Sequence, residues 1–339
     1  MRLPSPDGRW TAILDLQAGS LEVEDSQGNQ QAVFPSGSAA SAVEWSPDSQ
    51  QLAVVLEPSP AGDETSNGKA PPELHLRRLK EGIFQPVEPF YRPDGSTDAL
   101  SAPEQLRLGA WSPDSRRILF WLGPLSASLQ ADGLPLLALD SETMQPTHLA
   151  KAALLNPAYQ SWAPDGQSLV FTSGGYRSAQ VKKWLSLYTV GTGQVTTLIP
   201  EKEQVPGAVA WSPAGDRIAY AAVEASQTGA DWADWVSWEN PAIRARRIYL
   251  LDPHSNHPQR LNAVEAYQDA PHWGAGGKTL YYVQVDGDKA TLMSADPQTG
   301  QAQPLPDCQA ALPETAGFYG QVDWEALYAA CLATGLPAN

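Results

Sequence analysis

A tryptophan followed by Ser-Pro-Asp, a small residue and an apolar run recurs along the whole chain, and a repeat of that kind leaves few architectures open. The copies read Ser5-Pro6-Asp7-Gly8-Arg9-Trp10, Trp45-Ser46-Pro47-Asp48-Ser49, Trp111-Ser112-Pro113-Asp114-Ser115, Trp162-Ala163-Pro164-Asp165-Gly166, Trp211-Ser212-Pro213-Ala214-Gly215-Asp216 and a degenerate Trp273-Gly274-Ala275-Gly276-Gly277. From Trp45 the tryptophans follow at spacings of 66, 51, 49 and 62 residues, and the prolines of the first two copies lie 41 apart. A base period of about 41 to 51 residues, stretched by two insertions, is what a blade of four short strands requires.

The residue types explain the turn. Proline presets φ at the second position, aspartate accepts hydrogen bonds from turn amides, and glycine or serine accepts the φ that closes it. The apolar runs that follow, such as Leu52-Ala53-Val54-Val55 and Ile118-Leu119-Phe120, have the composition of strands buried on both faces. A hairpin answers each run, as in Leu21-Glu22-Val23-Glu24-Asp25-Ser26-Gln27-Gly28 and Leu187-Tyr188-Thr189-Val190-Gly191-Thr192-Gly193, and supplies the third strand and the turn into the fourth.

This pattern resembles the WD40-like repeats of TolB-type propellers, which also occur in the propellers of prolyl-oligopeptidase-type enzymes, and the resemblance runs from Ser5 to about Leu305. It implies an all-β fold, a six-bladed β-propeller of four-stranded antiparallel blades in one domain over residues 1–339. It further implies a bacterial, extracytoplasmic protein, periplasmic or secreted, that binds or scaffolds a protein or peptide. Loss of Ser, Pro and Asp from the sixth copy predicts a looser turn there. Trp45, Trp111, Trp162, Trp211 and Trp273 read as core between blades, and Asp7, Asp48, Asp114 and Asp165 as turn caps.

The first copy lacks a preceding strand, whereas Tyr319-Gly320-Gln321-Val322-Asp323-Trp324 reads like Ala42-Val43-Glu44-Trp45, with Trp324 51 residues after Trp273. The expectation is that the C-terminal segment 318–333 pairs with the N-terminal blade as its inner strand and closes the ring. A short helix competes, because Trp324, Leu327, Tyr328, Cys331 and Leu332 are spaced for one helical face, with Asp323 as its N-cap.

Composition mainly excludes. A formal net charge of −16 repels nucleic acid and anionic membranes, and the densest basic run is only Arg244, Arg246 and Arg247. The chain contains no apolar stretch long enough for a membrane span, and it opens at Met1-Arg2-Leu3-Pro4 without an apolar signal segment. Cys308 and Cys331 are compatible with a disulfide stapling the end of the chain, or equally with two small buried thiols.

Candidate sites are few. The insertion Pro58 to Pro72 has the composition of a solvated loop. The insertion Glu224 to Arg247 carries Trp232, Trp235 and Trp238 with Asp231, Asp234 and Glu239 between and beside them, a spacing that presents aromatics to a protein or a sugar, or else packs them down as a plug. His254 and His257 are the only close histidines, and a metal site there would need ligands from other blades; a pair of surface turn residues is the competing reading. Neither a cofactor motif nor a Gly-x-Ser-x-Gly elbow is present. The sequence therefore favours a non-catalytic binding module that engages a partner at the channel mouth or the 224–247 loop. The alternative is a lyase or hydrolase acting on a polysaccharide.

Overall fold

The structure is a computed structural model and describes residues 1–58, 71–93, 104–124, 126, 131–227, 236–255, 257–317 and 320–332. It divides into two compact units, Met1–Leu155 and Asn156–Asn339.

The first unit holds three four-stranded antiparallel sheets whose strands run in chain order or its reverse. They are β1 to β4 (Arg2–Pro4, Trp10–Asp15, Ser20–Asp25, Gln30–Phe34), β5 to β8 (Ala40–Trp45, Gln51–Leu56, Glu73–Lys80, Ile83–Tyr91) and β9 to β12 (Gln105–Trp111, Arg117–Gly123, Leu134–Asp140, Pro146–Ala153). The second unit repeats the arrangement with β13 to β16 (Gln160–Trp162, Ser168–Ser173, Trp184–Thr189, Gln194–Ile199), β17 to β20 (Gln204–Trp211, Ile218–Glu224, Arg247–Leu251, Gln259–Arg260) and β21 to β24 (Tyr267–Trp273, Leu280–Asp286, Lys289–Ala295, Ala302–Ala311). Six such meanders are the blades of a six-bladed β-propeller, three to a unit.

Core apolar groups come from both faces of the second strands. Leu52, Ala53, Val54 and Val55 are all fully buried, and so are Ile218, Ala219, Tyr220 and Ala221. Val54 packs toward the first blade with Val23, Val43 and Trp45, while Ala53 and Val55 pack toward the third with Leu106, Trp111 and Phe120. Each large side chain so buried contributes about 1.5–3 kcal/mol. The motif tryptophans Trp45, Trp111, Trp162, Trp211 and Trp273 are buried, and two donate their ring N–H to the inner strand of the preceding blade, Trp45 to Leu3 O (3.0 Å) and Trp273 to Ala210 O (3.1 Å).

The repeat turns share one hydrogen-bond frame. In the second copy Ser46 Oγ donates to Asp48 Oδ1 (2.6 Å) and accepts from Gln51 N–H (2.8 Å), Gln50 N–H donates to Asp48 Oδ1 (2.9 Å), and Ser49 closes the turn at φ 61°. The first and third copies repeat it through Ser5 and Asp7, and through Ser112 and Asp114. In the fifth copy the aspartate has moved two places along, and Ser212 Oγ donates to Asp216 instead (2.8 Å). The sixth turn is not looser in its backbone. Gly274 N–H bonds Thr279 O (2.9 Å) and Gly277 N–H bonds Gly274 O (2.8 Å), because Gly277 takes φ 66° freely and the main chain needs no side-chain cap to close. Successive turns also touch: Asp7 N–H donates to Ser49 Oγ (3.1 Å) and Asp48 N–H to Ser115 Oγ (3.0 Å).

One expectation is overturned. The first blade takes its inner strand from Arg2–Pro4, which pairs with Thr11–Ile13, and not from the C-terminal segment. Residues Glu325–Leu332 form a helix, and Phe318 and Tyr319 lie outside the described residues. The helix wins because Asp323 Oδ1 accepts from Glu325 N–H (2.9 Å) at its start, and the helical spacing buries Trp324, Leu327 and Cys331 together against the sixth blade. A strand would have turned Trp324 to the face opposite Leu327 and Cys331.

Chain order fixes which end of a blade each connection occupies. First-to-second and third-to-fourth connections fall at one end, so the repeat turns lie there. Second-to-third connections fall at the other, and four of them are long: 57–72 and 124–133 in the first unit, 174–183 and 225–246 in the second.

Candidate functional site

A set of buried polar contacts that is not repeated lies at the insertion end of the second unit. The 225–246 connection leaves β18 at Glu224 and returns into β19 at Arg247. Asp231, Trp232, Asp234 and Trp235 lie outside the described residues. Trp238 does not stand free: it is 7% exposed, donates its ring N–H to Pro313 O (2.9 Å), and meets Tyr267 edge-on at 5.3 Å. Arg244 lies over its ring at 5.4 Å. Glu239 is exposed, and Asn240 caps a four-residue helix, Pro241–Arg244, by accepting from Ala242 N–H (2.9 Å). The second half of the insertion is thus fastened to the C-terminal cluster of Tyr267 and Trp324.

The insertion ends on a buried ionic framework. Arg246 is 1% exposed and faces Asp269 at 3.7 Å, while its Nη2 donates to Ala179 O (3.1 Å) and Gln180 Oε1 (3.4 Å). Burial opposes its charge, but the Asp269 carboxylate together with Tyr159 and Tyr267 outweighs burial and raises its pKa. Asp269 in turn accepts from Tyr267 Oη (2.6 Å) and Ala270 N–H (2.8 Å). A methyl at Gly207 would sit 2.1 Å from Arg246 Nη1, so only glycine leaves room for the guanidinium. Lys183, also fully buried, donates to the carbonyls of Gly175, Tyr176, Ser178 and Val181 at 2.7–3.0 Å and so shapes the 174–183 connection that supplies Ala179 and Gln180.

Beside this framework opens a groove of about 690 Å³ lined by residues of the fifth blade and its flanking connections. Its floor is Tyr249, stacked on Tyr220 at 5.7 Å. A relay orients one wall: Tyr220 Oη donates to Gln204 Oε1 (2.6 Å), Gln204 Nε2 donates to Glu224 Oε1 (2.8 Å), and Tyr249 Oη donates to the same Glu224 oxygen (2.6 Å). Burial, and then the bond to Glu224, push the Tyr249 phenol above its ordinary range, so it stays a donor at any physiological pH. On the other wall Arg247 and Arg260 share one carboxylate, Glu265, at 3.0 and 2.7 Å, and the Arg260 and Arg247 hydrogen bonds hold Glu265 below the usual carboxylate range. Glu203 completes the rim.

Sequence reasoning named the insertion but missed this groove. Its residues are scattered from Glu203 to Glu265, and none belongs to a motif. The available signal was the pair at the insertion's two stems, Glu224 and Arg247. His254 and His257 are exposed in the turn after β19, where Asp252 Oδ1 accepts from His254 N–H (2.8 Å) and Ser255 Oγ from His257 N–H (3.1 Å). Among the described residues no three His, Cys, Asp or Glu side chains group as metal ligands. Cys308 and Cys331 are free, buried thiols packed together, with Cys331 pushed up by burial and by its hydrogen bond with Cys308. No helix among the described residues is long and apolar enough to cross a membrane.

Neither a protein-family model nor a curated protein matches the sequence. Solved structures do match in shape. The chain is similar to TolB from Acinetobacter baumannii at 17% identity and a TM-score of 0.42, covering 93% of this chain and 64% of that one. It is similar to a eukaryotic initiation factor at 12% identity and a TM-score of 0.59, covering 90% of this chain and 65% of that one. It is also similar to the tricorn protease at 11% identity and a TM-score of 0.54, covering 89% of this chain and 30% of that one. The last two superpositions speak for the fold, and at these identities for the fold alone. The chain spans less than two thirds of the length of each of these three structures.

Proposed function

We propose that this chain is a non-catalytic, extracytoplasmic binding or scaffold module that engages a protein or peptide at the insertion-bearing end of its second unit. The 224–247 loop, with Trp232, Trp235, Asp231, Asp234 and Glu239, is the contact segment. One observation carries the reading: the insertion is pinned at its return stem by buried Trp238 and buried Arg246, beside an open polar groove. A fixed frame around an open groove cuts the ordering cost of binding. The groove's Glu224 and Glu265 are already held by hydrogen bonds, which suits recognition better than proton transfer.

The test is capture from a native extract with the intact chain and with a variant in which 228–235 is replaced by a Gly/Ser linker. The pinned half, 236–246, is left alone so that folding is preserved, which circular dichroism checks. A partner held by the intact chain and lost by the variant is the expected result. Equal capture by both, or capture by neither, contradicts the reading.

A further inference from the structure

We propose that the groove on the fifth blade takes an extended peptide segment through a basic side chain, its ammonium or guanidinium seated between Glu203 and Glu224. This rests on the binding reading above and names the chemistry of the partner. The volume of about 690 Å³ suits a few residues of extended chain.

The charges on the two walls are unequal. Glu265 satisfies two arginines at once, whereas neither Glu203 nor Glu224 pairs with a cation among the described residues. Glu224 receives both its hydrogen bonds, from Gln204 and Tyr249, on Oε1, which leaves Oε2 for an incoming donor. Tyr249 between the walls offers an aromatic surface for the aliphatic stem of a lysine or the plane of an arginine.

Arg247 is 8% exposed, with Nη1 donating to Arg244 O and Arg246 O and Nη2 to Glu265, and yet its Nε–H has no hydrogen-bond partner. The Arg260 Nε–H is likewise buried without a partner. Both Nε atoms have almost no exposed surface and the two guanidiniums stay engaged with Glu265, so Glu203 and Glu224 are the charged groups left for an incoming segment.

The blade also makes space. Its outer strand, Gln259–Arg260, is two residues long, against five to ten in the other blades, and pairs only with Tyr249 and Leu250 of the third strand, so the outer edge beside the groove is short. A net charge of −16 steers a cationic segment inward.

Isothermal titration of the full chain with acetyl-Ala-Ala-X-Ala-Ala-amide tests this, with X as Lys, Arg, norleucine or Glu. The Lys and Arg peptides are expected to bind at least tenfold more tightly than the norleucine peptide. E203Q/E224Q should remove that difference, and E203Q alone, a change at an exposed position, should remove part of it without altering Tm. Equal affinities for Lys and norleucine, an unchanged preference in E203Q/E224Q, or no binding of the Lys peptide at millimolar concentration would overturn the inference. If E203Q/E224Q still captures the extract partner that the linker variant loses, this inference fails and the binding reading stands.

Discussion

The two ends of the blades were built by different rules. At the turn end the same few bonds recur: Ser5, Ser46 and Ser112 each donate to an aspartate two residues on and accept the amide five residues on, and neighbouring turns touch through the next copy's fourth residue. At the insertion end of the second unit nothing recurs. Arg246 with Asp269, Lys183 with its four carbonyls, and the Glu224 relay each occur once. Repetition serves stability, because each turn adds a similar small increment. The single-copy polar network at the other end costs desolvation for every group, and such outlays persist where a surface has work to do.

That contrast can be broken by mutation. Arg246→Ala should have the largest effect, about 3–5 kcal/mol in urea unfolding, because it leaves Asp269 charged, 4% exposed and without its cation. A loss under 1 kcal/mol would mean the framework is dispensable. Ser46→Ala and Ser112→Ala should each cost about 1–2 kcal/mol, and by similar amounts, since both hydroxyls are buried and make the same two bonds. Unequal costs would show that the turns are not interchangeable. The fourth copy carries Ala163 where the first, second, third and fifth have serine, so Ala163→Ser should add about 0.5–1 kcal/mol by supplying the bond to Asp165.

The smallest effect is in pH. Burial disfavours the Asp7 carboxylate, but hydrogen bonds from Arg9 N–H and Ser5 Oγ, and the Arg9 guanidinium, outweigh it and bring its pKa to about 2 from 3.8. The folded state therefore binds its proton less readily than the unfolded chain, and the stabilisation is present above about pH 4 and lost as pH falls toward 2. Asp7→Asn should flatten that part of the melting profile. A profile unchanged by the substitution would separate Asp7 from acid stability.

What could be read from the sequence follows the same division. The turn needs residues within about six positions of one another, so its chemistry is legible locally, and six blades follow from six copies. The C-terminal segment misled because Trp324 falls on the repeat period, while Asp323 and the spacing of Leu327 and Cys331 equally specify a helix. The strand Arg2–Pro4, immediately ahead of the first turn, already fills the inner place of the first blade. The groove was illegible because Glu203, Glu224, Arg247, Arg260 and Glu265 are brought together by strand pairing across sixty residues, and each alone looks like an ordinary surface charge.

A recess of about 460 Å³ at the turn end, lined by Ser212, Arg217, Trp273 and Lys278, is the internal control for where recognition resides. Hydrogen exchange of the intact chain with and without its captured partner tests this most directly. The account predicts slowed exchange in 203–204, 224–227, 236–249 and 260–265, with the repeat turns and the 276–278 segment unchanged. Protection confined to the turns, or to the first unit, would contradict it.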